Sequence, residues 1–274
     1  MTDTGTTMLR ELFAAARSEH RAALLPFLTA GIPDLESSPA MFEAMAAAGA
    51  DGFEIGIPYA DPLMDGPVIA DAAERSLAAG MTIGRAFAIA ERVAGTTAKP
   101  VLLMTYTNPV MHYGPERFAA DAAAAGASGL IIADLPVEEA APFLAAARDA
   151  GLGMALFAAP TTTAERLEAI TAADPAFVYA VATLGVTGER AHTSGAIGEL
   201  SARIRAVSDV PIVAGVGIST PEQAAAAARL ADGVIVGSAL VRRVLEASDP
   251  GAAAVSLAAA VADLRSAVVD SGRR

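Results

Sequence analysis

Short runs of β-branched and aliphatic residues recur along this chain, each followed by an alanine-rich amphipathic stretch. The strand-like runs are Ala23–Thr29, Gly52–Ile57, Val101–Tyr106, Gly129–Asp134, Gly153–Ala158, Phe177–Thr183, Pro211–Gly215 and Gly233–Val236. Helices are predicted near Thr6–Ser18, Pro39–Ala48, Ile83–Ala94, Pro115–Ala125, Glu138–Ala150, Ala164–Ala172, Ile197–Val207, Pro221–Ala228 and Ala252–Val269. Eight strands alternating with helices fit a closed (β/α)8 barrel, with an open doubly wound sheet as the alternative. Glycine-rich segments after the sixth, seventh and eighth runs favour the barrel, because phosphate sites gather at those strand ends. Gly80, Gly126 and Gly151 follow helices, where a left-handed cap suits glycine. Pro100 and Pro211 open strands, where the missing amide is tolerated.

The chain has 274 residues and no linker, low-complexity segment or charge block. A single domain over 1–274 is predicted: a (β/α)8 TIM barrel with additional N-terminal and inserted helices. Hydrophobic residues at 54% and charged residues at 18% supply ample core and exclude a disordered chain. A net charge of −12 without a basic stripe argues against nucleic acid as a partner. Cysteine is absent, which removes disulfides, thiolate metal sites and cysteine nucleophiles. His20, His112 and His192 are scattered without ligand spacing, so no metal site is expected. The N-terminus has neither a basic n-region nor a long apolar core, and no apolar run outside the alanine-rich stretches approaches the ~18 residues of a membrane span. No membrane association is expected, and the cytoplasm is the expected compartment.

Chemistry concentrates in Gly52-Phe53-Glu54-Ile55-Gly56-Ile57-Pro58-Tyr59-Ala60-Asp61-Pro62-Leu63-Met64-Asp65-Gly66-Pro67. Glu54 sits within a strand of a sheet buried on both faces, where an ionised acid is costly without a specific purpose. Apolar neighbours should raise its pKa and let it exchange protons near neutrality. Asp65, on the loop that follows, should stay ionised and accept hydrogen bonds. Structural alternatives exist: Glu54 as half of an ion pair, and Asp61 and Asp65 as turn formers beside Pro62 and Gly66.

Leu184-Gly185-Val186-Thr187-Gly188, Gly215-Val216-Gly217-Ile218-Ser219 and Gly237-Ser238 supply a second pattern. Glycines let backbone amides approach phosphate oxygens, and the helix opening at Ser238 adds its N-terminal dipole. Three such segments at consecutive strand ends point to a phosphorylated substrate, although many barrels share that handle.

The segment around Glu54 closely resembles the signature of the tryptophan synthase alpha subunit family. Glu54, Gly56, Pro58, Tyr59, Asp61, Pro62, Asp65 and Gly66 match, and Ala60 departs where that family usually has Ser or Thr. The Gly-Val-Thr-Gly at 185–188 also matches. By that resemblance Glu54 is the general acid/base and Asp65 the acceptor for the indole nitrogen. Gly188, Gly217, Gly237 and Ser238 are implied to bind the glycerol phosphate, and Thr187 to belong to a lid. Phe27, Tyr106 and Tyr179 are implied to line the indole pocket, though aromatic residues in strands are most often core. Asp61, Pro62, Asn108 and Pro136 are implied to meet a beta subunit in an alpha2-beta2 tetramer; turn chemistry explains them equally well.

The implied reaction is retro-aldol cleavage of indole-3-glycerol phosphate to indole and glyceraldehyde 3-phosphate, without a cofactor. Two other readings stay open: a stand-alone indole-3-glycerol-phosphate lyase of secondary metabolism, and a non-catalytic activating subunit.

Overall fold

The structure is a computed structural model, described for residues 4–181, 192–215 and 217–272. Eight parallel strands close on themselves in sequence order: β1 (Ala23–Thr29), β2 (Phe53–Gly56), β3 (Val101–Thr105), β4 (Gly129–Ile132), β5 (Gly153–Ala158), β6 (Phe177–Ala180), β7 (Ile212–Ala214) and β8 (Gly233–Val236). Closure comes from β8 pairing with β1, where Ala23 stands opposite Gly233 and Pro26 opposite Val236. Nearly every strand residue is buried, as expected where helices cover one face and barrel filling the other.

The helices are α1 (Gly5–Ser18), α2 (Ser38–Ala47), α3 (Pro67–Ala78), α4 (Ile83–Thr97), α5 (Thr107–Tyr113), α6 (Pro115–Ala124), α7 (Ala141–Asp149), α8 (Ala164–Ala172), α9 (His192–Arg205), α10 (Pro221–Ala228), α11 (Ser238–Leu245) and α12 (Pro250–Asp270). Sequence reading missed α3 and α5. The helix predicted over Glu138–Ala150 is instead a 3-10 turn at Val137–Glu139 followed by α7, with a proline in its first turn. Several strands stop short of the predicted ends, so Tyr106, Asp134 and Gly215 stand on the loops beyond them. The predicted end of β6 at Thr183 lies outside the described residues.

One face of α1 closes the N-terminal end of the barrel. Its Leu9, Leu12, Phe13 and Ala16 are buried, and Phe13 meets Phe177 edge-on at 5.9 Å. Leu9 fits only because β4 and β5 begin with glycine: a Cβ on Gly129 or Gly153 would approach its Cδ1 to 3.0 or 2.8 Å. Beside it, the buried Arg21 grips Asp51 through two hydrogen bonds of 2.7 and 2.9 Å, and Arg265 of α12 joins at 2.8 Å. Asp51 also accepts from the Leu24 amide, which ties the starts of β1 and β2 to the last helix.

By length and composition α12, one of the alanine-rich stretches, is apolar enough to cross a membrane. Here it packs across α2, α10 and α11, burying Ala253, Leu257, Ala260, Val261, Leu264 and Val268. Its apolar character therefore serves the outer layer of the barrel.

Candidate active site

At the C-terminal ends of the strands lies a cavity of about 210 Å³. Glu54 reaches it from β2 beside Phe27 of β1, the two being register partners on adjacent strands. The Glu54 side chain is 3% exposed, and its Oε2 has no hydrogen-bond partner among the described residues. Burial, helped by the nearby charge of Asp65, pushes its pKa up to about 8. At neutral pH it is a carboxylic acid with a proton to give. No ion-pair partner accompanies it among the described residues, which argues against the structural alternative.

Asp65 borders the same cavity from the loop between β2 and α3. Burial raises it to about 6, while a hydrogen bond donated by the Tyr106 hydroxyl pulls the other way. It is therefore more perturbed than a mobile-loop carboxylate was expected to be, yet still ionised at neutrality. The loop and the helix that follows it are each anchored to the barrel. The Tyr106 hydroxyl accepts from the Met64 amide at 3.2 Å, and Ser76 of α3 donates to the Ala30 carbonyl at 2.6 Å.

Tyr106 does not border the cavity. It is buried behind Asp65, braced by the Tyr59 ring at 5.5 Å. The resemblance implied a pocket wall; here the hydroxyl accepts from the Asp65 loop. Asn108 donates to the Tyr59 hydroxyl at 2.9 Å, and Asp134 accepts from the Thr107 amide and hydroxyl at 2.7 and 2.8 Å. The loops after β2, β3 and β4 are thus joined to one another. Asp61, Asn108 and Pro136 are exposed on this side and Pro62 is half-buried.

Phe27 and Tyr179 do line the cavity, and glycines fix both rings. Phe27 lies against Gly56 and Gly237, where an added Cβ would come within 2.6 and 3.2 Å of the ring. Tyr179 covers Gly215, whose Cβ would overlap the phenol. The Tyr179 hydroxyl is pushed well above its usual range by burial and then by the charges of Glu54 and Asp65, so it remains a neutral donor.

Across the cavity stand Gly217, Ile218, Ser219, Gly237 and Ser238. Gly217 has φ +84°, and α11 starts at Ser238, so free amides of a helix N-terminus face this side. The cavity lining contains no lysine or arginine among the described residues. Thr187 and Gly188 lie outside the described residues. Met104, Ile131, Phe157 and Ile235 also line the cavity. Sequence reading passed over them; the only available signal was the inward alternation of each strand, which plain core shares. No cluster of potential metal ligands occurs among the described residues.

A closed parallel barrel with a buried proton-carrying acid, an ionised partner and a glycine cradle at its C-terminal mouth defines a class: barrel enzymes that act by proton transfer on phosphorylated substrates. The comparisons with known proteins narrow it. Residues 13–269 match the family model described as tryptophan synthase alpha chain. The tryptophan synthase alpha chain of Thermobifida fusca is 46% identical over 270 residues, 97% of this chain and 100% of its own. That of Picosynechococcus is 46% identical over 238 residues, covering 86% and 90%. The structure of Mycobacterium tuberculosis tryptophan synthase superposes with a TM-score of 0.86 at 42% identity, covering 95% of this chain and 97% of that one. The chain belongs to the tryptophan synthase alpha chain family, and is thereby a lyase of tryptophan biosynthesis.

Proposed function

We propose that Glu54 and Asp65 carry the cleavage of indole-3-glycerol phosphate to indole and glyceraldehyde 3-phosphate. The observation that supports this most is the convergence of a protonated Glu54 and an ionised Asp65 on one cavity whose far side is a glycine cradle. The neutral Glu54 gives its proton to indole C3, producing an indolenine-like cation. Asp65 accepts the hydrogen bond of the ring N–H as positive charge develops there. The Glu54 carboxylate so formed then takes the proton of the glycerol hydroxyl next to the breaking bond. The electrons of that carbon–carbon bond return to the ring, releasing indole and leaving an aldehyde. Glu54 ends protonated, as it began.

The amides near Gly217, Gly237 and Ser238, with Gly188, hold the phosphate as a handle that orients the reacting bond. Phe27 and Tyr179 flank the ring. The chain works as one barrel domain over 1–274 in the cytoplasm, in an alpha2-beta2 tetramer with the beta subunit. Asp61, Pro62, Asn108 and Pro136, together on one side of the mouth, face that partner. A non-catalytic role does not suit a cavity holding both acids, and the matched relatives offer no support for a stand-alone lyase. Steady-state cleavage by the chain alone and with beta subunit added tests the reading. Product in either assay, lost in Glu54→Gln, is expected; no product in both would overturn it.

A further inference from the structure

The catalytic cavity has a neighbour. A more open recess of about 350 Å³ lies between the loops after β4 and β5, bordered by Asp134, Leu135, Thr162 and Arg166 among others. Met64, Ala133, Phe157 and Val181 border both spaces, and so form the partition between them. Of these four, Ala133 and Val181 are small, while Met64 is an unbranched side chain 53% exposed on the Asp65 loop. Phe157 is the one aromatic side chain in the shared wall among the described residues.

The three rings around the cavity are held differently. Phe27 and Tyr179 are locked over glycines that clear space for them. Phe157, half-buried on β5, has its face on Tyr179, its register partner on β6, with centroids 4.8 Å apart and planes 22° apart. One face of its ring is thus committed to Tyr179, and the side chain borders both cavity and recess. Shortening it would leave Tyr179 over Gly215 and join the two spaces. Phe27 and Tyr179 border the cavity and not the recess, so shortening either would not join the two spaces.

We infer that Phe157 is the specificity-determining residue for the aromatic part of the substrate: it admits an unsubstituted bicyclic ring and excludes rings extended toward the β4 and β5 loops. The inference rests on the reading that this cavity takes an indole ring. In an apolar pocket one extra or missing methylene changes discrimination by about 10–200-fold, so a rigid ring at this partition is sufficient to reject a single added methyl group.

The test is calorimetric binding of indole and each of the methylindoles substituted on the benzene ring to the full chain, its Phe157→Ala variant and its Phe157→Leu variant. The parent should bind at least one such methylindole, the isomer whose methyl points toward the β4 and β5 loops, at least about tenfold more weakly than indole. Phe157→Ala should close that gap about tenfold or more for the rejected isomer, with Phe157→Leu between them. Glycerol 3-phosphate affinity, to which Phe157 makes no contribution, reports that each variant is folded; Phe157→Leu keeps most of the packing should the alanine variant fail. An unchanged ranking in a folded variant, or a parent that binds every methylindole as well as indole, would overturn the inference. Condensation of indole with glyceraldehyde 3-phosphate by the same parent checks the reaction separately. Ranking that depends on Phe157 without turnover would refute the proposed reaction and uphold the role of Phe157.

Discussion

Tyr179 lies so closely over Gly215 that a β-carbon at 215 would overlap its hydroxyl, Cζ and Cε1. The phenol in turn sits within the electrostatic reach of Glu54 and Asp65. A glycine on the loop after β7 therefore determines where an aromatic ring from β6 meets the two acids.

Gly215→Ala should displace Tyr179 or bend the loop after β7. Overpacking of this kind costs about 1–3 kcal/mol of stability. Because the strain falls on a cavity wall, kcat/KM for cleavage should fall at least about tenfold, the loss expected for roughly 1.4 kcal/mol of barrier. Thermal unfolding and steady-state kinetics on the one variant measure both. Wild-type activity would mean that Tyr179 can move without consequence for the reaction.

Tyr106 gives a different kind of prediction, because its ring and its hydroxyl have separate duties. In Tyr106→Phe the packing on Tyr59 survives, and the contacts to Asp65 and the Met64 amide are lost. The hydrogen bond from Tyr106 holds the Asp65 pKa down against burial, so its removal should move that pKa upward from about 6. With Glu54 active as the acid at about 8 and Asp65 active ionised, kcat/KM of the parent should be bell-shaped between those values. Tyr106→Phe should shift the acid limb to higher pH, leave the alkaline limb in place and lower the maximum. An unmoved acid limb would show that Tyr106 does not act through Asp65.

Much of this was legible in the residues. The bounds of β1, β5, β8, α8 and α10 follow directly from runs of aliphatic residues and from glycine, proline and threonine at their ends. Glu54 stood out because a carboxylate in a doubly buried strand is costly, and Asp65 because the matching signature surrounds it. What escaped depends on contacts distant in sequence. Asn108-Pro109 reads as a turn, yet α5 forms there, because Asp134 from the next loop accepts from the Thr107 amide and proline at its third residue needs no amide partner. Tyr106 reads as core or pocket wall, since nothing local shows that its hydroxyl is engaged by a loop 42 residues earlier. Met104, Ile131, Phe157 and Ile235 have the composition of any buried strand, and only closure of the barrel makes them a binding surface.

The phosphate cradle can be tested at Gly217. Among the described residues a β-carbon there would meet nothing within 4 Å, so contact with neighbouring protein atoms is not the constraint. The constraint is φ +84°, a region that L-residues adopt with strain. Gly217→Ala should turn this loop back toward ordinary backbone angles and misdirect its amides. Glycerol 3-phosphate binding, followed by calorimetry, should weaken at least about tenfold, while the strain of alanine at positive φ costs about 1–3 kcal/mol of stability. Equal binding by parent and variant would remove Gly217 from the cradle.

The last prediction concerns stability and follows from Glu54 alone. Its folded pKa of about 8 lies above the 4.5 of a free glutamate, so the native state holds a proton that the unfolded chain releases. Below about pH 4.5 the acid is neutral in both states and costs nothing by ionising. As pH rises from there the unfolded state gains by losing the proton, and the native state loses stability until Glu54 ionises near pH 8. Asp65, raised in the same direction to about 6, adds to the trend over a narrower window. Glu54→Gln keeps the shape and removes the larger contribution. Its stability relative to the parent should therefore improve steadily from pH 4.5 to 8 and level off above, by about 1.4 kcal/mol for each pKa unit actually separating the two states. Urea unfolding of parent and variant across that range measures the difference, while cleavage by the variant should be abolished throughout. A stability difference that stays flat with pH would mean that Glu54 is not a buried, protonated acid, and the proton-donating first step assigned to it would fail with it.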